Sequence, residues 1–265
     1  MLIVLSIILI MLILAICGDK GSKSIVTTVG NALLLLLAVF LIYRGVNPVP
    51  VSLIMSVLAS LMILFFQNEK GRNSEIAFWS TVISIAIVIP LVFYLAHGSN
   101  SQGFNPMEYE ITDSNGYTRN VSINMISIQI AVMIIALIGA AVDTAVAVTT
   151  SMVEIYDKNT GIEEKELIKS GFNVGKSILN TSMHTIFYIY IAEYMTLMMQ
   201  YVDEYNFIQM INAKSFSSGF LSITICGSVC CIIVPISVIL TITKLYHSKE
   251  RKKRFFKNKK KKTSV

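Results

Sequence analysis

The sequence predicts an all-α membrane protein with about seven transmembrane helices and one cytoplasmic amphipathic helix. Hydrophobic residues make up 54% of the 265 residues. Charged residues make up only 14%, whereas soluble domains contain about 25%. The apolar residues are concentrated in runs close to the roughly 20 residues that cross a bilayer. The basic residues lie mostly in alternate connections between those runs. These observations favour a multi-pass protein of the cell (plasma) membrane.

Seven apolar runs are candidate membrane spans, and the connections between the early runs are short. Short connections favour antiparallel neighbouring helices that pack side by side. The first run is the shortest, and a cleaved signal peptide is its alternative interpretation. Because such a peptide needs a basic start, which is missing here, a retained helix is favoured. The runs cover residues 2–17, 25–43, 49–66, 76–96, 126–149, 183–201 and 219–246.

The basic residues predict the orientation of these spans. Arg44, Arg119 and Lys214 fall in alternate connections, whereas the other 19 of the 22 Lys and Arg residues fall on the opposite side. The positive-inside rule then places the N-terminus outside and the C-terminus in the cytoplasm. Residues 97–124 become an extracytoplasmic loop, in which Asn115-Gly116 favours the turn of a short hairpin.

The chain divides into a membrane domain, residues 1–248, and a basic tail, residues 249–265. Clusters of Lys and Arg next to a membrane helix bind anionic lipid headgroups. We therefore expect the tail to contact the lipid bilayer at its cytoplasmic surface, and we do not expect a nucleic-acid partner.

Residues 160–180 are polar but have the pattern of a helix. Acidic residues at positions 163, 164 and 166 precede a series of apolar residues, as is typical of a helix N-terminus. We predict an amphipathic helix on the cytoplasmic membrane surface that leads into the sixth span. Gly171 and Gly175, four residues apart, give it a small face for close helix packing. The alternative is a linker without a function of its own.

Asp143 is a carboxylate inside the fifth apolar run. An ionisable group at that depth is costly unless it faces protein, a partner or water. Small residues, including Gly139, share its side of the helix at steps of three and four. Because small residues permit close helix approach, we expect Asp143 to point into the bundle. The opposite side, with Ile134, Ile138 and Ala145, carries no such signal.

Glu193 occupies a similar position in the sixth run, about 16 Å beyond Ser182 and thus near the predicted midplane. Two inward carboxylates on consecutive spans could take up and release a proton or bind a cation, as in ion-coupled transporters. The alternative is that each acid caps a polar group or pairs with a cation from elsewhere. No Lys or Arg lies within the predicted spans except at their ends, which favours protonation or cation binding.

Other chemistry has little support in the sequence. The four cysteines have no His or second Cys cluster at metal-ligand spacing, so we expect no metal and no cofactor. There is also no nucleophile–base pair and no phosphate-binding loop, so we do not expect an enzyme.

Residues 139–188 resemble the YibE/F family of bacterial integral membrane proteins. The resemblance rests on Gly139-Ala140-Ala141-Val142-Asp143, on Ser170-Gly171-Phe172-Asn173-Val174-Gly175-Lys176-Ser177-Ile178, and on Thr181. The chain departs from the family pattern at Ser177, Asn180 and His184. The family often occurs as two related proteins, so the resemblance implies a paralogous membrane partner.

The same segment is similar to helices of RND permeases and of SecF-type translocation subunits, in which an intramembrane acid serves proton-driven work. The resemblance therefore implies a subunit of a proton- or cation-coupled transport or translocation complex. Asp143 is its expected coupling site and Glu193 a secondary one. The alternative is a scaffold or assembly subunit that transports nothing itself. The expected coupling and packing motif comprises Gly139, Ser170, Gly171, Asn173, Gly175, Lys176 and Thr181.

Overall fold

The computed structural model describes residues 1–67, 71–99, 124–159 and 161–262, and every regular element in those ranges is helical. The extracytoplasmic hairpin predicted around Asn115-Gly116 lies outside the described residues. The α-helices are α1 (Leu2–Tyr43), α2 (Pro48–Leu61), α3 (Arg72–Gly98), α4 (Met125–Lys158), α5 (Glu164–Glu204), α6 (Phe207–Asn212) and α7 (Lys214–Lys262), and a π-helical turn (Met62–Gln67) follows α2.

Five helical segments among the described residues are long and apolar enough to cross a membrane, so the predicted count of seven is not confirmed. α5 is not one of the five, because polar residues interrupt its apolar character. The first segment contains both of the first two predicted spans. The five are Ile3–Tyr43, Pro48–Phe66, Arg72–Gly98, Met125–Lys158 and Phe216–Tyr246.

α1 is broken at Gly18 into two helical parts. The backbone of Gly18 has φ +53° and ψ −128°, which is non-helical and costs little only for glycine. Beyond the break the chain comes back against the first part, because a Cβ added to Gly21 would lie 2.6 Å from the carbonyl oxygen of Ile13. In a straight helix, residues eight apart are about 12 Å from each other. The two predicted runs, residues 2–17 and 25–43, therefore lie on either side of a bend.

α4 is the central helix of the bundle and packs against α2, α3, α5 and α7. Its residues Ile134, Leu137 and Ala145 are completely buried. They belong to one core cluster with Val88 of α3 and Val229 of α7. Aliphatic side chains of α4 therefore fill the space between α3 and α7.

Buried hydroxyl side chains line the contacts between the helices. On α2, Ser52, Ser56 and Ser60 recur every fourth residue, and the hydroxyl of Ser60 donates to the carbonyl of Ser56 over 2.9 Å. Ser84 of α3 and Thr241 of α7 likewise donate to carbonyls four residues earlier. These side chains are small and satisfy their own hydroxyl groups, so neighbouring helices can approach closely at these positions.

Charged and aromatic side chains hold one end of the bundle together. Arg72 at the start of α3 pairs with Asp157 at the end of α4 over 3.0 Å. Glu75 pairs with Lys244 of α7 over 2.5 Å. The rings of Tyr156 and Tyr246 pack edge to face beside these pairs. These contacts bring together connections that the positive-inside rule assigns to the cytoplasmic side. We call this the inner end; its cytoplasmic location stays a prediction.

The amphipathic surface helix predicted for residues 160–180 is not confirmed. The described residues from Glu164 onward belong to α5, which continues without a break to Glu204. A Cβ on Gly171 would meet Val238 of α7, and one on Gly175 would meet Val234. A Cβ on Gly227 of α7 would meet Met183. α5 therefore runs antiparallel to α7 inside the bundle, starting at the inner end.

Candidate functional site

Asp143 lies on the exposed side of α4 in the single chain. The expectation that it points into this chain's own bundle is therefore wrong. The opposite side, with Ile134, Ile138 and Ala145, is the buried one. The cause is that bulky aliphatic side chains fill the core, while the small residues next to Asp143 lie toward the outside of the single chain. We define the small-residue face of α4 as the exposed or half-buried residues Ala136, Gly139, Ala140, Asp143 and Ala147.

The neighbour of Asp143, Thr144, fixes the depth of the carboxylate relative to α7. Thr144 Oγ1 donates to the Ala140 carbonyl oxygen over 2.8 Å and lies 3.5 Å from Cys230 Sγ. Cys230 lies near the middle of the candidate span Phe216–Tyr246. Asp143 is therefore at mid-depth in the bundle.

The contact between Thr144 and Cys230 also gives the depth of Asp143 relative to α5. Cys230 lies four residues before Val234, which packs against Gly175. Because α5 and α7 are antiparallel, the α5 residue level with Cys230 lies four residues after Gly175, at Leu179. Asp143 is thus level with Asn180 to within about one helical turn of 5.4 Å.

Asp143 forms no ion pair and no side-chain hydrogen bond with any residue that the structure describes. Arg72, Lys158 and Lys244 pair with acids near the inner end, away from Asp143. A carboxylate at mid-depth costs several kcal/mol in lipid, roughly 3 kcal/mol on insertion scales. This chain's described residues do not compensate that cost.

The motif predicted on α5 is divided between two sides of the helix. Gly171 and Gly175 are buried, whereas Asn173, Lys176 and Thr181 lie on the other side. Ser170 is half-buried between the two sides. The glycines therefore act in packing within the chain, whereas the exposed polar members, Asn173, Lys176 and Thr181, do not.

The polar residues on the outer side of α5 form a continuous row. They follow one another at steps of three and four, so they share one side of the helix. The hydroxyl of Thr181 donates to the Ser177 carbonyl over 3.1 Å, and that of Ser177 donates to the Asn173 carbonyl over 3.3 Å. We define the polar stripe as Asn173, Lys176, Ser177, Asn180, Thr181 and His184, all of them exposed or half-exposed.

The polar stripe is at the depth of the membrane-spanning part of α7. Its centre, near Asn180, is level with Cys230. An exposed polar surface at that depth is unfavourable against acyl chains, so it needs protein or water beside it. Asp143 and the polar stripe therefore share two properties: both are at mid-depth, and both lie on the outside of the single chain.

Glu193 is not near Asp143. The hydroxyl of Tyr190 donates to the Phe216 carbonyl over 3.1 Å, and a Cβ on Gly219 would meet Tyr194. Glu193 is therefore level with the start of the α7 span, about 20 Å along the helix from Asn180. The predicted midplane position of Glu193 is wrong, because α5 enters the bundle well before the apolar run at 183–201. Glu193 is also exposed.

A family model described as YibE/F-like protein matches residues 5–247. The chain belongs to the YibE/F family. The match extends over α1, α2 and α3, whereas the sequence resemblance rested on residues 139–188. Comparisons with curated proteins and with solved structures found no match.

In this YibE/F chain a groove of about 490 Å³ lies next to the polar stripe, between α5 and α7. His184 belongs to both the stripe and the groove. The hydroxyls of Thr224 and Ser228 in the groove donate to carbonyls of their own helix. The other lining residues are mostly apolar, so the groove adds little chemistry to the site beyond His184.

Three members of the polar stripe were not among the predicted site residues: Ser177, Asn180 and His184. All three stood out in the sequence only as departures from the family pattern. The signal that could have found them is their spacing, since with Asn173, Lys176 and Thr181 they make one side of a helix polar over three turns. The contact between Thr144 and Cys230 had no signal in the sequence.

Proposed function

We propose that this YibE/F chain is a subunit of a proton- or cation-coupled transport or translocation complex. In this proposal the coupling group is Asp143, located at the boundary between the chain and a membrane partner. The observation that carries the proposal is the exposed position of Asp143 at mid-depth, on a small-residue face and without a counter-charge among the described residues.

The surroundings of Asp143 favour a buried location in an assembly. Gly139 has open space around it, since a Cβ added there would meet nothing within 4 Å. A partner helix could therefore approach α4 closely at this point and separate the carboxylate from lipid. A carboxylate enclosed between helices changes its interactions strongly when it gains or loses a proton. Intramembrane acids in such positions mark proton and ion pathways.

The second candidate is an assembly or scaffold subunit that transports nothing. The small-residue face favours it too, because small residues support helix association whether or not ions move. The two candidates differ in what the charge of Asp143 does. In a coupled complex the ionisable group itself is needed, whereas in a scaffold a neutral amide of the same size can replace it.

The test is proton flux in vesicles that contain the chain together with the membrane proteins that copurify with it. Asp143→Asn should reduce flux at least about tenfold, which corresponds to about 1.4 kcal/mol in a rate-limiting step. The matched control is Glu154→Gln. Glu154 is on the same side of α4 three turns toward the inner end, and it pairs with Lys158 over 2.6 Å. We expect flux in this variant to equal that of the wild type.

Equal flux in Asp143→Asn and the wild type would contradict the coupling role. Absence of flux in the wild-type complex, with a normal yield of that complex in Asp143→Asn, would favour the scaffold instead. Thermal unfolding of the purified variant shows whether Asp143→Asn has left the fold intact.

A further inference from the structure

We infer that the small-residue face of α4 is covered by the polar stripe of α5 from a second copy of this chain. This inference deepens the proposed function by identifying the partner at Asp143, and it rests on that proposal for the role of the carboxylate. Three properties of the two faces support it: their charges, their depths and their shapes.

The charges of the two faces are complementary. The small-residue face contains one charged residue, Asp143. The polar stripe contains Lys176 and His184 and has no acidic member. Contact between two α4 faces would place two carboxylates together, and contact between two stripes would place two lysines together. Like charges across an interface are unfavourable, so the pairing of α4 with α5 is preferred.

The depths of the two faces match as well. Two copies in one membrane have the same orientation, so α4 of one copy is antiparallel to α5 of the other. Within one chain, Asp143 is level with Asn180, as derived from the contacts of Cys230 and Gly175. The same register places Gly139 near the level of His184 and Ala147 near the level of Lys176, to within the same helical turn. Each copy therefore presents its stripe at the depth of the other copy's carboxylate.

The shapes fit because the side chains on the α4 face are small, whereas those on the polar stripe are longer. Alanine and glycine on α4 leave room for the amide of Asn180, which can donate hydrogen bonds to Asp143. Lys176, one turn away, has a flexible stem that can bring its ammonium group toward the carboxylate. Hydrogen bonds and ion pairs between membrane helices stabilise their association.

This pairing also fits a coupling role. Protonation of Asp143 would remove its charge and weaken its contact with Lys176 of the second copy. A change in protonation would then alter the relative stability of two arrangements of the subunits, which is what a coupling group must do. In a closed assembly every copy uses both faces, so neither remains in contact with lipid.

Disulfide trapping between two differently tagged copies in native membranes tests the inference. One copy carries Gly139→Cys and the other His184→Cys, both in a background with Cys17→Ala and Cys231→Ala, which removes the exposed native cysteines. A disulfide needs a Cβ–Cβ separation of about 4 Å, so it reports direct contact. We expect a mixed disulfide between the two tags.

Val132→Cys, paired with His184→Cys, is the matched control. Val132 is exposed on the same side of α4, but it is seven residues from Gly139 and thus about 10 Å away along the helix. It should give a much lower yield than Gly139→Cys. Disulfides that join Gly139→Cys to itself would overturn the inference, and so would disulfides to a different membrane protein or none at all.

A charge exchange gives a second measurement. Asp143→Lys alone and Lys176→Asp alone should each reduce the mixed-disulfide yield by about tenfold, as expected for the loss of one polar contact between membrane helices. The two substitutions combined in every copy should restore most of the yield. Failure of the combined variant to recover, in protein that remains monodisperse, would contradict the pairing of these two residues.

The outcomes separate this inference from the proposed function. If copies do not cross-link but Asp143→Asn still abolishes proton flux, the partner is not a second copy and the coupling role stands. If copies cross-link in the expected register but Asp143→Asn conducts normally, the interface stands and the coupling role does not.

Discussion

The two sides of α5 are covered in different ways. On one side Gly171 and Gly175 are buried against α4 and α7, and a Cβ on Gly171 would press on the sulfur of Met152 at 2.8 Å. On the other side the polar stripe lies open over three turns at the same depth. Close packing within the chain covers the first side. No residue that the structure describes covers the second side.

α4 has the same division, with a buried aliphatic side and an exposed side that carries Asp143. In a membrane, lipid solvates apolar side chains as well as a protein core does, so association depends on close packing and polar contacts. The buried sides of α4 and α5 pack closely within the chain. Their exposed sides carry the polar groups, which is why we assign them to contacts between subunits.

Gly175→Leu should have the largest effect on the stability of the single chain. Its Cβ would overlap Val234, and in this well-packed contact the extra atoms should cost about 3 kcal/mol or prevent folding. We expect a marked drop in the thermal midpoint in detergent, or no folded protein at all.

The matched substitution is Gly139→Leu, on the exposed side of α4. A Cβ there meets nothing within 4 Å, so the isolated chain should unfold at the same temperature as the wild type or higher. The new side chain should instead block the contact between copies. Similar destabilisation by both substitutions would mean that the buried side of α5 and the exposed side of α4 do not differ in packing.

Asn180→Leu should have an intermediate effect and only on association. Asn180 is exposed in the polar stripe, so its replacement should change the free energy of unfolding of the single chain by less than about 0.5 kcal/mol. It should lower the yield of the disulfide between Gly139→Cys and His184→Cys copies about fivefold. A large loss of thermal stability with unchanged cross-linking would reverse the assignment of the two sides.

Helix periodicity predicted the two sides of α4 correctly but not which one faces the bundle. The small residues around Asp143 indicated a close helix contact, and the sequence contains no information on whether that helix belongs to the same chain. On α5 the spacing of Gly171 and Gly175 predicted a packing face, and an added Cβ at either glycine would meet a valine of α7. The family assignment from residues 139–188 is also confirmed.

The position of α5 could not be predicted from hydropathy. The apolar run at 183–201 suggested a span, but packing of Gly171 and Gly175 places the preceding polar residues at the depth of the α7 span. Hydropathy indicates which segments are stable in contact with lipid, whereas the position of α5 is determined by packing against its protein neighbours. The packing role of the buried serines of α2 could not be predicted for a related reason, since their regular spacing of four is informative only once the facing helices are known.

The ion pair between Arg72 and Asp157 should show the smallest effect. Both side chains are partly exposed, with relative areas of 39% and 58%, and both lie at the inner end rather than at mid-depth. Water and salt screen such a pair, so Asp157→Asn should lower the free energy of unfolding by about 0.5 kcal/mol.

The corresponding change at Asp143 should affect flux and association much more, although that carboxylate has no partner among the described residues of the single chain. The measurement is thermal unfolding and cross-linking of both variants side by side. If Asp157→Asn disrupts association as strongly as Asp143→Asn does, then depth in the bundle is not what makes the Asp143 carboxylate important.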